Sequence, residues 1–200
     1  LDLALHPRWT FGVMGRYWLS RGIPSYDNYP GEVRVAITRA VTDPRFALSR
    51  DFSADHIRRI RDGWPGKLVI KGIQHPEDAE SALSFGADGV VISAHGGRNL
   101  DGLAYPISVL PDIRRAVGGR LTILADSGIQ RGSDVAKLIG AGADAVLSGR
   151  SFLWALAAEG PAGVVRMTDL LLDELRTFMA FAGMRSLDDL RRARWIDGPA

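Results

Sequence analysis

From Lys67 onward the hydrophobic pattern becomes regular. Four short apolar runs, KLVIKG, DGVVIS, LTILAD and DAVLSG, punctuate a more polar chain. Each is near-continuous in Val, Ile and Leu rather than alternating, which predicts strands buried on both faces, as in a parallel sheet. The stretches between them carry helix signals. HPEDAESALSFG has acidic residues in its first turn and glycine at its end. PISVLPDIRRAVGG ends on glycines, and Pro111 suggests a helix starting nearby. RGSDVAKLIGAGA predicts a helix from about Ser133 that stops at glycine. The unit is strand, loop, helix, repeated. FGADGVVIS and AGADAVLSG are near copies, so the repeat is visible in the letters. Beyond them, GPAGVVRMTDLLLDELRTFMAFAGM has the three-and-four spacing of a long amphipathic helix. SLDDL predicts a small capped helix.

Residues 1 to about 50 have another texture. PRWTFGVMGRYW and PSYDNYPGE mix aromatic residues, prolines and glycines, and no period holds for long. A short helix around Leu3 to Arg21 is expected, followed by irregular chain. An aromatic and basic segment of this kind suits contact with a membrane surface; the plainer reading is an extended loop packed on its own domain.

Four β/α units in about 100 residues suggest half of an eight-stranded (β/α)8 TIM barrel, whose usual length is about 250 residues. A doubly wound open sheet is the competing architecture. Both collect functional residues at the carboxyl ends of their strands. The reading adopted is an α/β chain of 200 residues forming the carboxyl-terminal part of one barrel domain. It divides into an irregular or helical loop over 1–50, four β/α units over 67–155 and terminal helices over 161–190.

Composition narrows the classes. Hydrophobic residues make up 46% of the chain, enough for one core. A net charge of only +2, with no lysine-arginine block, gives no support for nucleic-acid binding. The absence of cysteine excludes disulfides, thiolate metal sites and a cysteine nucleophile, and fits a cytoplasmic setting. No apolar run reaches the roughly 18 residues of a membrane span. The opening LDLALHPRWTF has no initiator methionine and starts mid-pattern, which predicts a fragment or a processed piece.

The strand ends carry the candidate chemistry. The first ends in Lys71, which is expensive to bury unless an anion meets it; it is either a salt bridge to a neighbouring strand or a charge aimed at a cofactor or substrate. The second delivers Ser93, His95 and Arg98. Histidine exchanges protons near neutral pH, and arginine offers a planar fork matched to a carboxylate. Gly96 and Gly97 between them allow a ligand to come close. Alone, His95 reads as a structural histidine; beside Arg98 it reads as functional. The third strand ends in Asp126, Ser127 and Gly128, and the fourth in Gly149 and Arg150. A glycine turn, a helix N-terminus and an arginine together form an anion site, and the loops after strands seven and eight of a barrel often bind phosphate. A phosphorylated cofactor with a carboxylate substrate fits this set, and so does a phosphate-ester metabolite. No metal site is expected.

The motifs VIKGI, SAHGGRNLDG, ADSGIQRGSDVAKLIGAGADAVLSGR and MAFAGMRSLDDL, in this order, resemble the FMN-dependent α-hydroxy-acid oxidoreductases, the family that includes glycolate oxidase, lactate dehydrogenases and mandelate dehydrogenase. LALHPRW in the leading segment resembles the mandelate and lactate dehydrogenase branch. The resemblance implies FMN as cofactor and an L-2-hydroxy acid as substrate. His95 would be the base, Arg98 would grip the substrate carboxylate, and Lys71 would lie by the flavin N1 and O2 edge, offsetting charge there. Ser93, Asp126, Ser127, Gly128, Ile129, Gln130, Gly149 and Arg150 would bind the cofactor. The electron acceptor would be oxygen, a quinone or a cytochrome. The complete protein would be a homo-oligomer, a tetramer, located in the cytoplasm or peripherally on the inner face of the membrane.

Three departures from the family pattern stand out. Ala94 replaces the asparagine usual before the histidine. Gln130 replaces an arginine that helps hold flavin phosphate or substrate, and Arg131 could substitute only if the loop shifts. The first half of the family's barrel is absent, with its substrate-binding tyrosine and the aspartate that orients the histidine, so the 200-residue chain alone is not expected to be a working enzyme. Besides the FMN-dependent enzyme, two readings stand open: a degenerate half-barrel that binds flavin without turnover, and a phosphate-ester isomerase, which has no use for His95 and Arg98 so spaced.

Overall fold

A computed structural model describes residues 2–44 and 51–195. The chain forms two compact units, Leu1–Phe52 and Ser53–Ala200. The first is helical from α1 (Asp2–Leu5) through α2 (Pro7–Trp9) and a π-helical stretch, Thr10–Gly15, into α3 (Arg16–Arg21). This agrees with the helix expected over Leu3 to Arg21, except for a break at His6, where the following proline disfavours helical backbone. An isolated antiparallel bridge, Ser25 to Ala36, closes the loop that follows.

The second unit opens with α4 (Ala54–Gly63), capped by Ser53. The sequence pattern left this helix out because its only large aliphatic side chains are Ile57 and Ile60. Then the units alternate: β1 (Val69–Ile73), α5 (Pro76–Ser84), β2 (Gly89–Ile92), α6 (Pro106–Val117), β3 (Thr122–Ala125), α7 (Gly132–Gly140), β4 (Ala145–Val146) and α8 (Arg150–Glu159). The terminal helices are α9 (Pro161–Phe181) and α10 (Leu187–Arg192). Helix α6 starts at Pro106 and runs through Pro111, which lies more than a turn inside it and forfeits one intrahelical hydrogen bond. The fourth strand is only two residues long.

All three strand pairings are parallel, and the order is β1-β2-β3-β4. A doubly wound sheet reverses its order at a switch point. This one does not, so successive right-handed crossovers put the connecting helices α5, α6 and α7 on the same face. That is an arc of a barrel. Val90, Ile92, Ile123 and Ala125 are fully buried on the helix side with Leu110, Ile113 and Val117 of α6 and Ala136 of α7. The other face is more open: Val69, which shares it with Lys71, is 45% exposed.

The repeated Gly-Ala-Asp has a structural explanation. Gly86 and Gly142 have φ of 80° and 119° and end α5 and α7. The next residues, Ala87 and Ala143, donate back to Ala82 and Leu138 and are buried. Asp88 and Asp144 then accept the backbone N–H of Leu68 (2.9 Å) and Ile123 (2.8 Å) at the start of the preceding strands. Arg61 and Arg114, from preceding helices, bind both the glycine carbonyl and the aspartate in each copy. The repeat is a staple at the amino-terminal rim of the sheet, away from the chemistry.

Candidate functional site

At the opposite rim the strand ends converge on a cleft of about 320 Å³. Its wall includes Lys71 from β1, His95, Gly96 and Arg98 after β2, Asp126 to Gln130 after β3, and Leu147 to Ser151 after β4. Of the residues predicted from sequence, Lys71, His95, Arg98, Asp126, Ser127, Gly128, Ile129, Gln130, Gly149 and Arg150 all line it. Ser93 lies just behind the wall, fully buried.

Lys71 leaves β1 where the pairing register shifts before Ile73. Its Nζ donates to Ser93 Oγ (2.6 Å) and to Asp126 Oδ2 (2.5 Å). The lysine is therefore in a salt bridge to a neighbouring strand end, and both partners line the cleft. Burial pulls the Asp126 carboxyl upward, but the hydrogen bonds from Lys71, Ser93 and Ser127, with the lysine charge, hold it below its usual range.

After β2 the backbone turns through three successive positive φ values, 52° at His95, 65° at Gly96 and 72° at Gly97. For a histidine this region is uncommon. Surrounding bonds hold it there: His95 N–H donates to Ser93 Oγ (3.1 Å), and the N–H groups of Ala94 and Gly96 donate to Ser127 Oγ (3.2 and 3.0 Å). At Gly96 a Cβ would also come within 2.6 Å of the Arg150 guanidinium, which donates to the Gly96 carbonyl, so a larger residue there would push the arginine tip aside. Among the described residues, neither the His95 ring nor the Arg98 guanidinium has a hydrogen-bond or ionic partner, so both are free to meet a ligand.

The cleft is cationic, with Lys71, Arg98 and Arg150 against the single carboxylate of Asp126. The end with a helix N-terminus open to the cleft is at α8, where Gly149 is the N-cap and Arg150 the first helical residue, an arrangement suited to an anion. The N-terminus of α7 is not available in the same way. Asp134 accepts the N–H groups of Gln130 and Arg131, and Glu174 on α9 accepts that of Gly132. Arg131 itself bonds Glu174 (3.0 Å), lowering the Glu174 pKa. It therefore does not take the place left by the arginine missing at Gln130. Sequence reasoning passed over Ser148 and Ser151. Both donate to the Ile129 carbonyl (3.1 and 3.0 Å) and tie the third loop to the fourth. The hydroxyls flanking Gly149-Arg150 in SGRS were the available signal.

Residues 1–197 match the family described as FMN-dependent dehydrogenase. An L-lactate dehydrogenase of Bartonella quintana (strain Toulouse) is 42% identical over 194 residues, covering 95% of this chain and 49% of that protein. One from Xanthomonas oryzae pv. oryzae (strain PXO99A) is 44% identical over 191 residues, covering 94% and 48%. The chain thus spans about half the length of the curated relatives it matches. Among solved structures, a Pediococcus acidilactici lactate oxidase superposes with a TM-score of 0.71 at 38% identity, covering 74% of this chain and 42% of that one. A mandelate oxidase variant with the monooxide FMN adduct gives 0.68 at 42% identity, covering 70% and 45%. Relatives that are themselves enzymes do not favour the non-catalytic reading.

Proposed function

The chain belongs to the FMN-dependent dehydrogenase family, and from that premise we propose that it supplies the base, the carboxylate clamp and the phosphate-binding end of an FMN site that oxidises an L-2-hydroxy acid to the 2-oxo acid. The observation that carries the reading is the gathering of His95, Arg98, Lys71 and the α8 N-terminus on one cationic cleft. These residues fit FMN: Arg150 and the α8 N-terminus suit a phosphate, and added Cβ atoms at Gly128 and Gly149 would meet nothing within 4 Å, so there is room for one. Gln130 lowers the positive charge at that end compared with the family pattern.

When bound, FMN would accept the two electrons of the oxidation. The chain's own residues do the rest. Arg98 binds the substrate carboxylate through two N–H groups and fixes which way the α-carbon points. His95, three residues away, takes a proton from the hydroxyl or the α-carbon. Lys71, steadied by Asp126 and Ser93, keeps a cation at the cleft wall where negative charge develops. Relatives are named both dehydrogenase and oxidase, so oxygen, a quinone and a cytochrome all stand as acceptors. A peripheral membrane contact belongs to the same proposal. It is supported by Phe11 and Leu19, 77% and 92% exposed, beside Arg16 and Arg21; among the described residues no helix is long and apolar enough to cross a membrane.

The test is His95→Gln in the flavin-loaded protein, with L-lactate or (S)-mandelate, whichever reduces the parent faster. The variant should stay yellow and lose about 10²–10⁴ in the anaerobic flavin-bleaching rate. Reduction within threefold of the parent would mean that another group is the base. Loss of the flavin would make His95 structural.

A further inference from the structure

We infer that Ser127 is the positioning residue for His95, doing from the neighbouring loop what no side chain does at Ala94. This rests on the proposed role of His95 as base. The first observation is one of valence. A serine hydroxyl has one hydrogen and two acceptor lone pairs. Ser127 Oγ uses all three: it accepts from Ala94 N–H and Gly96 N–H, and it donates to Asp126 Oδ1 at 2.8 Å. Nothing is left over for a ligand, although the residue lines the cleft. The hydroxyl is committed to the turn that carries the imidazole.

The second observation is conformational. His95 and Ser127 are the two described non-glycine residues with positive φ, 52° and 73°. Such a backbone conformation is strained and persists only where its surroundings fix it. One strained residue holds the turn of the other: the Ser127 hydroxyl bonds across to the turn of His95. The amides on both sides of His95 are held by Ser127, and the amide of His95 itself by Ser93. The third observation is continuity. Asp126 receives Ser127 on one oxygen and Lys71 on the other, so the turn that carries the base is tied to the ion pair, while Lys71 keeps its own bonds to Asp126 and Ser93 without the Ser127 hydroxyl. Removing the hydroxyl frees two amides and lets the turn relax, and the imidazole moves with it.

The experiment combines Ser127→Ala and His95→Gln in the flavin-loaded protein, with Ser127→Gly as a second variant. Alanine keeps the Cβ and the strained φ and removes only the oxygen; glycine also relieves the strain. Ser127→Ala should retain flavin, exchange the amides of residues 94–96 about tenfold faster by mass spectrometry, and reduce about tenfold more slowly. In the His95→Gln background it should change the reduction rate by less than twofold, because a residue that acts through the histidine has nothing left to position. Ser127→Gly should lose as much as Ser127→Ala, and it carries the same comparison if the alanine variant does not fold. Unchanged amide exchange, equal losses with and without His95, flavin loss at an unchanged rate per bound flavin, or a loss confined to the alanine variant would each overturn the assignment. A collapsed rate in His95→Gln beside an unaffected Ser127→Ala sinks the positioning alone. A His95→Gln variant that reduces normally sinks the base as well.

Discussion

Arginine and lysine carry the same charge, yet only arginine presents two parallel N–H groups to a carboxylate. At Arg98 that difference is measurable, because the guanidinium has no protein partner among the described residues. Arg98→Lys in the flavin-loaded protein should raise KM for the hydroxy acid about tenfold or more while flavin content stays at the parent level. Steady-state kinetics beside the flavin absorbance decide it, and an unchanged KM would remove Arg98 from the substrate site. The identity of such residues was legible in the sequence, since a charged or titratable side chain that closes an apolar run stands out. The partners were not. Nothing in the letters pairs Arg131 with Glu174, 43 residues away, and only the folded chain shows that this pair draws Arg131 aside from the cleft. The hydroxyl of Ser127 likewise read as part of a glycine turn; that it serves the preceding loop depends on the parallel register of β2 and β3.

Elements were easier to read than their ends. The four apolar runs fall on the four strands because a strand covered on both faces needs continuous hydrophobicity. Length was not readable, since β4 keeps only two ladder residues, and α4 escaped because it has few apolar side chains and none of its residues is buried. The repeated Gly-Ala-Asp was visible as a repeat without a meaning. Its staple now gives an element-scale prediction. Asp144 joins the end of α7 to β3 through one backbone N–H and joins both to α6 through Arg114. Asp144→Ala leaves the Ile123 amide unpaired and should destabilise the unit by about 1–2 kcal/mol, discounted because the pair is partly exposed. Asp112→Ala breaks an exposed pair with Arg115 one turn along α6 and should cost less than about 0.5 kcal/mol. Equal losses in thermal or urea unfolding would show that the repeat has no stapling role.

Over the whole molecule, four carboxylates of the second unit have depressed pKa values; three of them connect separate elements and the fourth caps a helix. Asp88 is lowered by its bonds to Lys67 and the Leu68 amide, and it joins α4 to β1. Asp126 joins the first three strand ends, Glu174 joins α9 to α7, and Asp189, capping α10, falls from 3.8 to about 2 through the amides of Arg185 and Ser186, the Arg192 side chain and the Ser186 hydroxyl. A carboxyl lowered in the folded state contributes stability that is complete above its unfolded value and disappears as pH falls through the folded one. All four shifts have this sign, so their losses accumulate in the same acid window. The melting temperature should therefore be level from neutral pH to about 5 and fall progressively from about 4 toward 2, the interval that Asp189 spans. Asp189→Asn keeps an oxygen for the two amides but cannot titrate, so its melting temperature should start lower at pH 7 and decline less steeply with acid. A decline that begins above pH 6 would assign the acid sensitivity to histidine. One as steep in Asp189→Asn as in the parent would remove the α10 cap from the set, leaving the inter-element carboxylates to account for the slope.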